Sequence, residues 1–385
     1  MTDASSSAER PHGIGESMSN RIHSAAVVGA FVALTFGTLT VASGARADGP
    51  ATMTAHFINV GQGDATLLEF DCGAVLIDAG GEGASSWPAG LTAVGYMSGF
   101  FEGRRDLKDG LDALILTHQH VDHIWGAPRV VDEFDVARVI DNGRRARGPA
   151  TKPYKALIDQ IRRLDKEESW RRIGFDEVPK EGLLLSDLNS AFGTCAVKPR
   201  FTALWGGLTS SPTGWGANKW GDDPFDNENN HSLVIRVDYG GASMLFTGDL
   251  QEEALRDLVR RYGKQKGGLL DVDVYQVGHH GSHNATTPDL MKAMSPKAAV
   301  ISMGPAWRGG EFTAWDHGHP RKEIVELLES GVSDTREESI VRIFEAQEAP
   351  YDKVIMSKAV YATGWDKTVV LDISSKGVIT AVRPN

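Results

Sequence analysis

Only two of the 385 residues are cysteine, Cys72 and Cys195. That excludes a disulfide-dense scaffold and any four-cysteine zinc site, and neither cysteine has metal-cluster spacing. Their separation along the chain says nothing of proximity, so a bridge and two small buried residues are both open. Positive charge is scarce as well: 40 Lys and Arg stand against 51 Asp and Glu, a formal net charge of −11. A chain of that sign is a poor non-specific binder of nucleic acid, because neutralising phosphates takes an excess of Lys and Arg. A local basic patch stays compatible with it. No repeat of solenoid period recurs. No Gly-x-Ser-x-Gly elbow occurs, which removes the usual mark of a serine hydrolase.

Long apolar runs are missing too, with one exception. Residues 25–44, AAVVGAFVALTFGTLTVASG, follow Arg21 and His23 and lead into the small residues Ala45 and Ala47. A positive start, an apolar middle and an Ala-x-Ala end describe a secretory signal over residues 1–47, cleaved after Ala47. The alternative is an uncleaved anchor, since the run reaches transmembrane length. Cleavage leaves one domain, residues 48–385, with no further span and a secreted or periplasmic location.

What is present is a series of short apolar strands with turns and helices between them; 41% of the residues are apolar, enough for a large core. TMTAHFINV, ATLLEF, AVLIDAG, DALILT, SLVIRVDYG, ASMLFTGD, DVDVYQVGHH and KAAVISMG read as strands, with a hairpin turn at Asp71–Gly73. Residues 153–169 read as an exposed amphipathic helix with Pro153 in its first turn. QEEALRDLVRRYGK, TPDLMKAMSP and PRKEIVELLESG read as further helices, the second capped by Thr287. Residues 200–230, rich in Gly, Trp, Asn and Asp, read as one long irregular loop, and the tail as two or three closing strands.

Four of the strands end on residues able to do chemistry. AVLI ends on Asp78, ALILT on His118, SMLFT on Gly248–Asp249 and VYQV on Gly278–His279–His280. Sites in open α/β sheets gather at such carboxyl ends, which argues for one shared site. The densest segment is THQHVDH, with His118, His120, Asp122 and His123 within six positions. Neutral imidazole and carboxylate suit zinc, manganese or iron. The four lie too close together for one closed cage. They suit two metals instead, His118 and His120 on one, Asp122 and His123 turned to the second, with Asp249 as a bridge. Two ions roughly 3.5–4 Å apart can clamp both oxygens of a displacement.

THQHVDH resembles the HxHxDH signature of the metallo-β-lactamase superfamily. FINVGQGDATLLEF, VLIDAG, NNHSLVIRVDYG, LFTGD, VGHHGSHNATT and HGHP resemble, in that order, the metallo-hydrolase domain of the DNA-uptake channel protein ComEC and its free-standing relatives, and secreted phosphorylcholine esterases share the pattern. The resemblance covers residues 53–330. It implies an α/β fold, a four-layer αββα sandwich with the site at its edge. It implies a dinuclear hydrolase that uses a metal-bridging hydroxide, with zinc as the first choice of metal and manganese or iron as alternatives. His118, His120, Asp122, His123 and Asp249 take ligand roles, and His280 completes the second site. His231 stands either as a third ligand of the first site or as lining. Asp78 and Asp64 would support the ligands from behind. His279 and His319 would assist the leaving oxygen, and Asn284 and His319 would touch substrate. His317 is expected in solvent. The substrate expected is a small-molecule or cell-envelope phosphodiester, with another bond (lactam, lactone or thioester) or a non-catalytic binding role as alternatives. Trp205, Trp215, Trp220, Trp307 and Trp315 are expected to pack loops, with a substrate wall as the alternative.

Overall fold

The period of two along the strands explains the layering. In Thr52–Phe57, Met53, Ala55 and Phe57 face one core while Thr54 and His56 face the other way. Val75 and Ile77 join that same core, whereas Ala74 and Leu76 join a second one. Ala113 and Ile115 divide from Leu114 and Leu116 in the same manner. Strands apolar on both faces must be covered on both faces. The chain meets that demand with two sheets and two layers of helix, the αββα sandwich the sequence implies.

The computed structural model describes residues 52–81, 92–216, 223–263, 267–305, 313–345 and 352–382. The expected leader over residues 1–47 lies outside them, as do Trp220 and Trp307. The first sheet runs in the order Ile379–Val382, Val369–Ser374, Thr52–Phe57, Thr66–Glu69, Ala74–Ile77, Ala113–Ile115, Val139–Asp141, Trp170–Arg172. The second runs Val360–Ala362, Ala298–Ile301, Val274–Gln276, Ala242–Phe246, Val234–Tyr239, Arg200–Trp205, Leu183–Leu184. Inner-face residues such as Phe57, Leu68, Phe201, Ile235, Phe246 and Val300 form the core between the sheets. Helices Ala93–Gly103, Ala127–Glu133 and Thr151–Arg163 cover the first sheet, and Glu252–Tyr262, Pro288–Met294 and Lys322–Gly331 cover the second.

In each sheet four strands run parallel. They are those starting at Ala74, Ala113, Val139 and Trp170 in one, and at Ala242, Val274, Ala298 and Val360 in the other. The parallel run brings the loops after Ile77 and Ile115 to one edge of the first sheet. The loops after Phe246 and Gln276 sit likewise at one edge of the second. Cys72 and Cys195 form a disulfide across a separation of 123 residues, tying the turn after Thr66–Glu69 to the approach to Arg200–Trp205.

Several elements differ from the sequence reading. Residues 200–205 are a buried strand, not the start of a loop; its side chains fill the core from Phe201 to Trp205. A strand buried on both faces carries no alternation, and Gly206–Gly207 behind it makes it look like a loop. The helix expected at 153–169 spans Thr151–Arg163, and Asp165 takes φ 54°, which cannot continue a helix. The tail holds four strands rather than two or three. The hairpin partner Thr335–Ile343 was not foreseen. The described tryptophans pack: Trp205 is fully buried, with Nε1 donating to Asn230 O at 3.0 Å, Trp215 Nε1 donates to Asp257 Oδ2 at 3.0 Å, and Trp315 meets Phe344 edge-on.

Candidate metal centre

The segment after Ala113–Ile115 is knitted to two glycine-bearing loops. Asp64 N donates to Asp122 O at 2.9 Å, Ala79 N to His123 O at 2.8 Å, and Gly80 N to Asp64 O at 2.7 Å. A Cβ on Gly80 would meet Asp122 O at 1.6 Å, so only glycine lets the three backbones approach this closely. His120 then caps the short helix Val121–Ile124, which carries Asp122 and His123. On the facing sheet Gly248 turns at φ 51° beside the Thr117 side chain, and Asp249 follows with its N–H donating to Ser232 Oγ at 3.1 Å.

Three of the imidazoles, on His118, His123 and His280, are aimed by the nitrogen they do not present to the centre. His123 Nδ1 donates to Asp78 Oδ2 at 2.8 Å, which leaves Nε2 facing Asp249 Oδ1 at 3.2 Å. His280 Nδ1 donates to Ser302 O at 2.8 Å, leaving Nε2 at 3.0 Å from Asp122 Oδ2 and 3.9 Å from Asp249 Oδ2. Thr117 Oγ1 donates to Asp78 Oδ2 at 2.8 Å and can accept from His118 Nδ1 at 3.3 Å, so His118 Nε2 stands 3.8 Å from Asp249 Oδ2. Such outward hydrogen bonds fix tautomer and ring plane in metal-binding histidines.

The donor atoms fall into two groups that share Asp249. One is His118, His120 and Asp249; the other is Asp64, His123, Asp249 and His280, with Asp122 beside it. His118 Nε2, His123 Nε2 and Asp249 Oδ1 are fully buried and have no hydrogen-bond partner outside their own cluster. Buried polar atoms are rarely left so. Three orphaned atoms converging from three elements, with imidazole and carboxylate chemistry, fit divalent cations. Asp64 reaches the group from behind: its Oδ2 is 3.7 Å from His123 Nδ1, the nitrogen on the Asp78 side, and its Oδ1 accepts from Gln276 Nε2 at 2.9 Å.

The charges tell the same story. Burial pushes the Asp249 carboxyl up, but His123, His279 and His280 more than offset this and hold it well below the usual range. Asp122 is likewise held down against burial by its hydrogen bond from His280 and by His123. Burial alone would lower His280, yet Asp249 and Asp122 raise it to about 10, and His123 is raised well above normal by Asp249 and Asp78 against the same burial. His118 is kept neutral by burial and by His123 and His120. Burial raises Asp64 to about 6, with His280 and His123 opposing. Without metal the centre therefore holds protons where cations belong.

His279 and His280 both sit at positive φ, 47° and 54°, and their rings lie 64° apart. The side chain of His279 is 22% exposed; its Nδ1 is 3.2 Å from Asn284 Oδ1 and its Nε2 is 3.7 Å from Asp249 Oδ2. His319 is buried, its Nδ1 3.5 Å from Gln62 Nε2 and its ring 5.6 Å from that of His279. His317 is exposed. His231 does not join either group. Leu208 N donates to its Nδ1 at 3.1 Å and its Nε2 donates to Phe225 O at 2.8 Å, so both nitrogens are used by backbone and no lone pair is left for a metal. Burial lowers its pKa to about 4. Three contributors went unread in the sequence: Thr117, Gln276 and Ser302, the last through its carbonyl. A glutamine in the apolar run VYQV was the available signal.

Residues 58–193 and 219–304 match the family described as the metallo-beta-lactamase superfamily. ComE operon protein 3 of Bacillus subtilis is 30% identical over 281 residues, covering 71% of this chain and 30% of that protein. Recombination protein 2 of Haemophilus influenzae is 26% identical over 273 residues, 70% of this chain and 27% of its own length. Competence protein ComA of Neisseria gonorrhoeae is 41% identical over 107 residues, 28% of this chain and 15% of its own. The chain thus spans under a third of the length of these relatives.

Proposed function

The chain belongs to the metallo-β-lactamase superfamily, and on that basis we propose that it is an exported, dinuclear metal-dependent phosphodiesterase. The observation that carries this reading is the convergence of His118 Nε2, His123 Nε2 and Asp249 Oδ1, all buried and with no partner outside the cluster. His118, His120 and Asp249 would hold one ion; Asp122, His123, His280 and Asp249 would hold the other. Two divalent ions, zinc or else manganese or iron, would supply Lewis acidity and lower the pKa of a water there.

The protein's own groups do the rest. Asp78, Thr117 and Ser302 keep the rings aimed. His279 is lowered by burial despite Asp249, so it is neutral near pH 7. Its Nδ1 donates to Asn284 Oδ1, so Nε2 carries a lone pair turned toward the centre, where it can take up the proton of the attacking water and then give it to the departing oxygen. His319, steadied by Gln62, closes the same side and meets substrate with Asn284. The relatives are named for competence and recombination, and DNA is a phosphodiester, which favours this bond over a lactam, lactone or thioester. The disulfide supports export, since such bonds persist in oxidising compartments. Among the described residues no helix is long and apolar enough to cross a membrane.

The test is a panel of chromogenic phosphodiesters, phosphomonoesters, lactams, lactones and thioesters offered to metal-loaded protein. A diester should be cleaved with the highest kcat/KM. Faster turnover of another bond refutes the phosphodiesterase, and two bound metals with no turnover at all would point to a binding protein instead.

A further inference from the structure

The loop after strand Val139–Asp141 carries Arg144, Arg145 and Arg147, three guanidinium groups within four positions of a chain whose net charge is −11. Both ends of this loop are fastened to segments that carry or support the metal centre. At its start Asn142 Nδ2 donates to His231 O at 2.9 Å, and the next residue, Ser232, is the one whose Oγ accepts from Asp249 N. At its end the turn Gly148–Ala150 packs against helix Val121–Ile124, which bears Asp122 and His123. Asp141 Oδ1 and Asn142 Oδ1 accept from Gly143 N and Arg144 N at 2.8 and 2.9 Å, so the loop has a defined shape. It is thereby tied to the segments that carry Asp122 and His123 and that hold Asp249.

Beneath it lies Glu228, only 7% exposed, with Oε2 3.7 Å from Arg144 Nε and Oε1 3.2 Å from Arg147 Nε. Arg144 is further committed, donating to Leu208 O at 3.2 Å and lying over the Phe225 ring. One buried carboxylate thus anchors the loop without neutralising it. Asp226, on the facing turn, is exposed and forms no ion pair with the three among the described residues. Arg145 is exposed and has no ion pair among the described residues, and the Arg147 side chain is 62% exposed. Together with Gly143, Ala146 and Glu228 the arginines line a cavity of about 460 Å³. A concave site in which three guanidinium groups share one carboxylate keeps a net positive charge that suits phosphate or carboxylate, and its forked donors suit phosphate oxygens.

We propose that Arg145 and Arg147 bind a further phosphate of the substrate, beyond the phosphodiester held at the metal centre. The substrate is then a chain of phosphodiesters rather than an isolated diester. This rests on the phosphodiesterase reading above and narrows it. In a protein of opposite overall sign, a patch of this kind gives a polyanion one place to land.

Binding tests it without turnover. Metal-loaded protein is titrated against a fluorescent phosphorothioate decathymidylate and against the matching abasic decamer, which keeps the phosphates alone. Arg145→Ala with Arg147→Ala should weaken both about tenfold or more and flatten the slope of log affinity against log salt by about 1.4, two contacts at about 0.7 each for a single strand. Arg162→Ala with Arg163→Ala removes the same charge from the far end of helix Thr151–Arg163 and should leave affinity within about twofold. An unchanged melting temperature shows that the loop variant is folded. Equal binding by the loop variant and wild type overturns the assignment, as does equal weakening by the helix variant, which makes the effect one of net charge. A loss confined to the thymidylate would mean that bases, not phosphates, are read. Failure of wild type to cleave any diester would instead count against the phosphodiesterase reading, and the binding comparison would stand on its own.

Discussion

Removing Asp249 is the sharpest perturbation of the metal-free protein. Its Oδ1 lies 3.2 Å from His123 Nε2, and its Oδ2 lies 3.7 to 3.9 Å from the Nε2 atoms of His118, His279 and His280. Asp249→Ala leaves the buried charges on His123 and His280 short of a partner. Breaking a buried pair by deleting one side costs about 3–5 kcal/mol. The imidazoles can escape by losing protons, so the cost must depend on pH. Asp249 is depressed below its ordinary 3.8, so its contribution is present above about pH 4 and fades as pH falls through the folded value. His280 is raised from 6.5 to about 10, so its contribution is full below about 6.5 and fades as pH rises through 10. The destabilisation by Asp249→Ala in chelator-stripped protein should therefore be greatest at about pH 5–6.5. It should shrink toward pH 10, where mainly the lost packing remains. Urea melts of wild type and variant from pH 5 to 10 measure it. A difference that stays flat across that range would refute the buried pairing.

Three further outcomes follow from the same geometry. His280→Ala should lose metal and activity together, whereas His279→Ala should keep most of its metal and lose about 10²–10⁴-fold in turnover; metal content after gel filtration separates them, and loss of metal from His279→Ala would reverse the assignment. Loading metal at pH 7 should release protons from His123 and His280, both raised in the metal-free protein. Calorimetry in buffers of different ionisation enthalpy reads this, and a heat independent of buffer would contradict it. Cys72→Ser with Cys195→Ser should cost about 2–5 kcal/mol in denaturant melts through the freed 123-residue separation; a loss under about 1 kcal/mol would mean that the sheets hold the same geometry unaided.

Much of this was readable from local pattern. The layers were legible through the family resemblance rather than from strand periodicity, and the residues that end the strands, Asp78, His118, Asp249 and His280, are the ones the fold collects. The failures share a cause, which is that their partners are distant in sequence. His231 looks available until Leu208 N and Phe225 O are seen on its two nitrogens. Residues 200–205 look like a loop because a strand buried on both faces needs no alternation and here runs into two glycines. Thr117 reads as a strand end, and only folding brings Asp78, His118 and His123 around its hydroxyl. The arginines at 144, 145 and 147 look like a solvated turn until Asn142 and Glu228 are seen to anchor them.

The central claim is that two ions, joined through Asp249, are both needed for phosphodiester cleavage. The direct measurement is the initial rate on a chromogenic phosphodiester as metal is titrated into stripped protein of known concentration. The rate should climb to a plateau at two equivalents per chain. A plateau at one equivalent, or no cleavage at any loading with two ions bound, would contradict it.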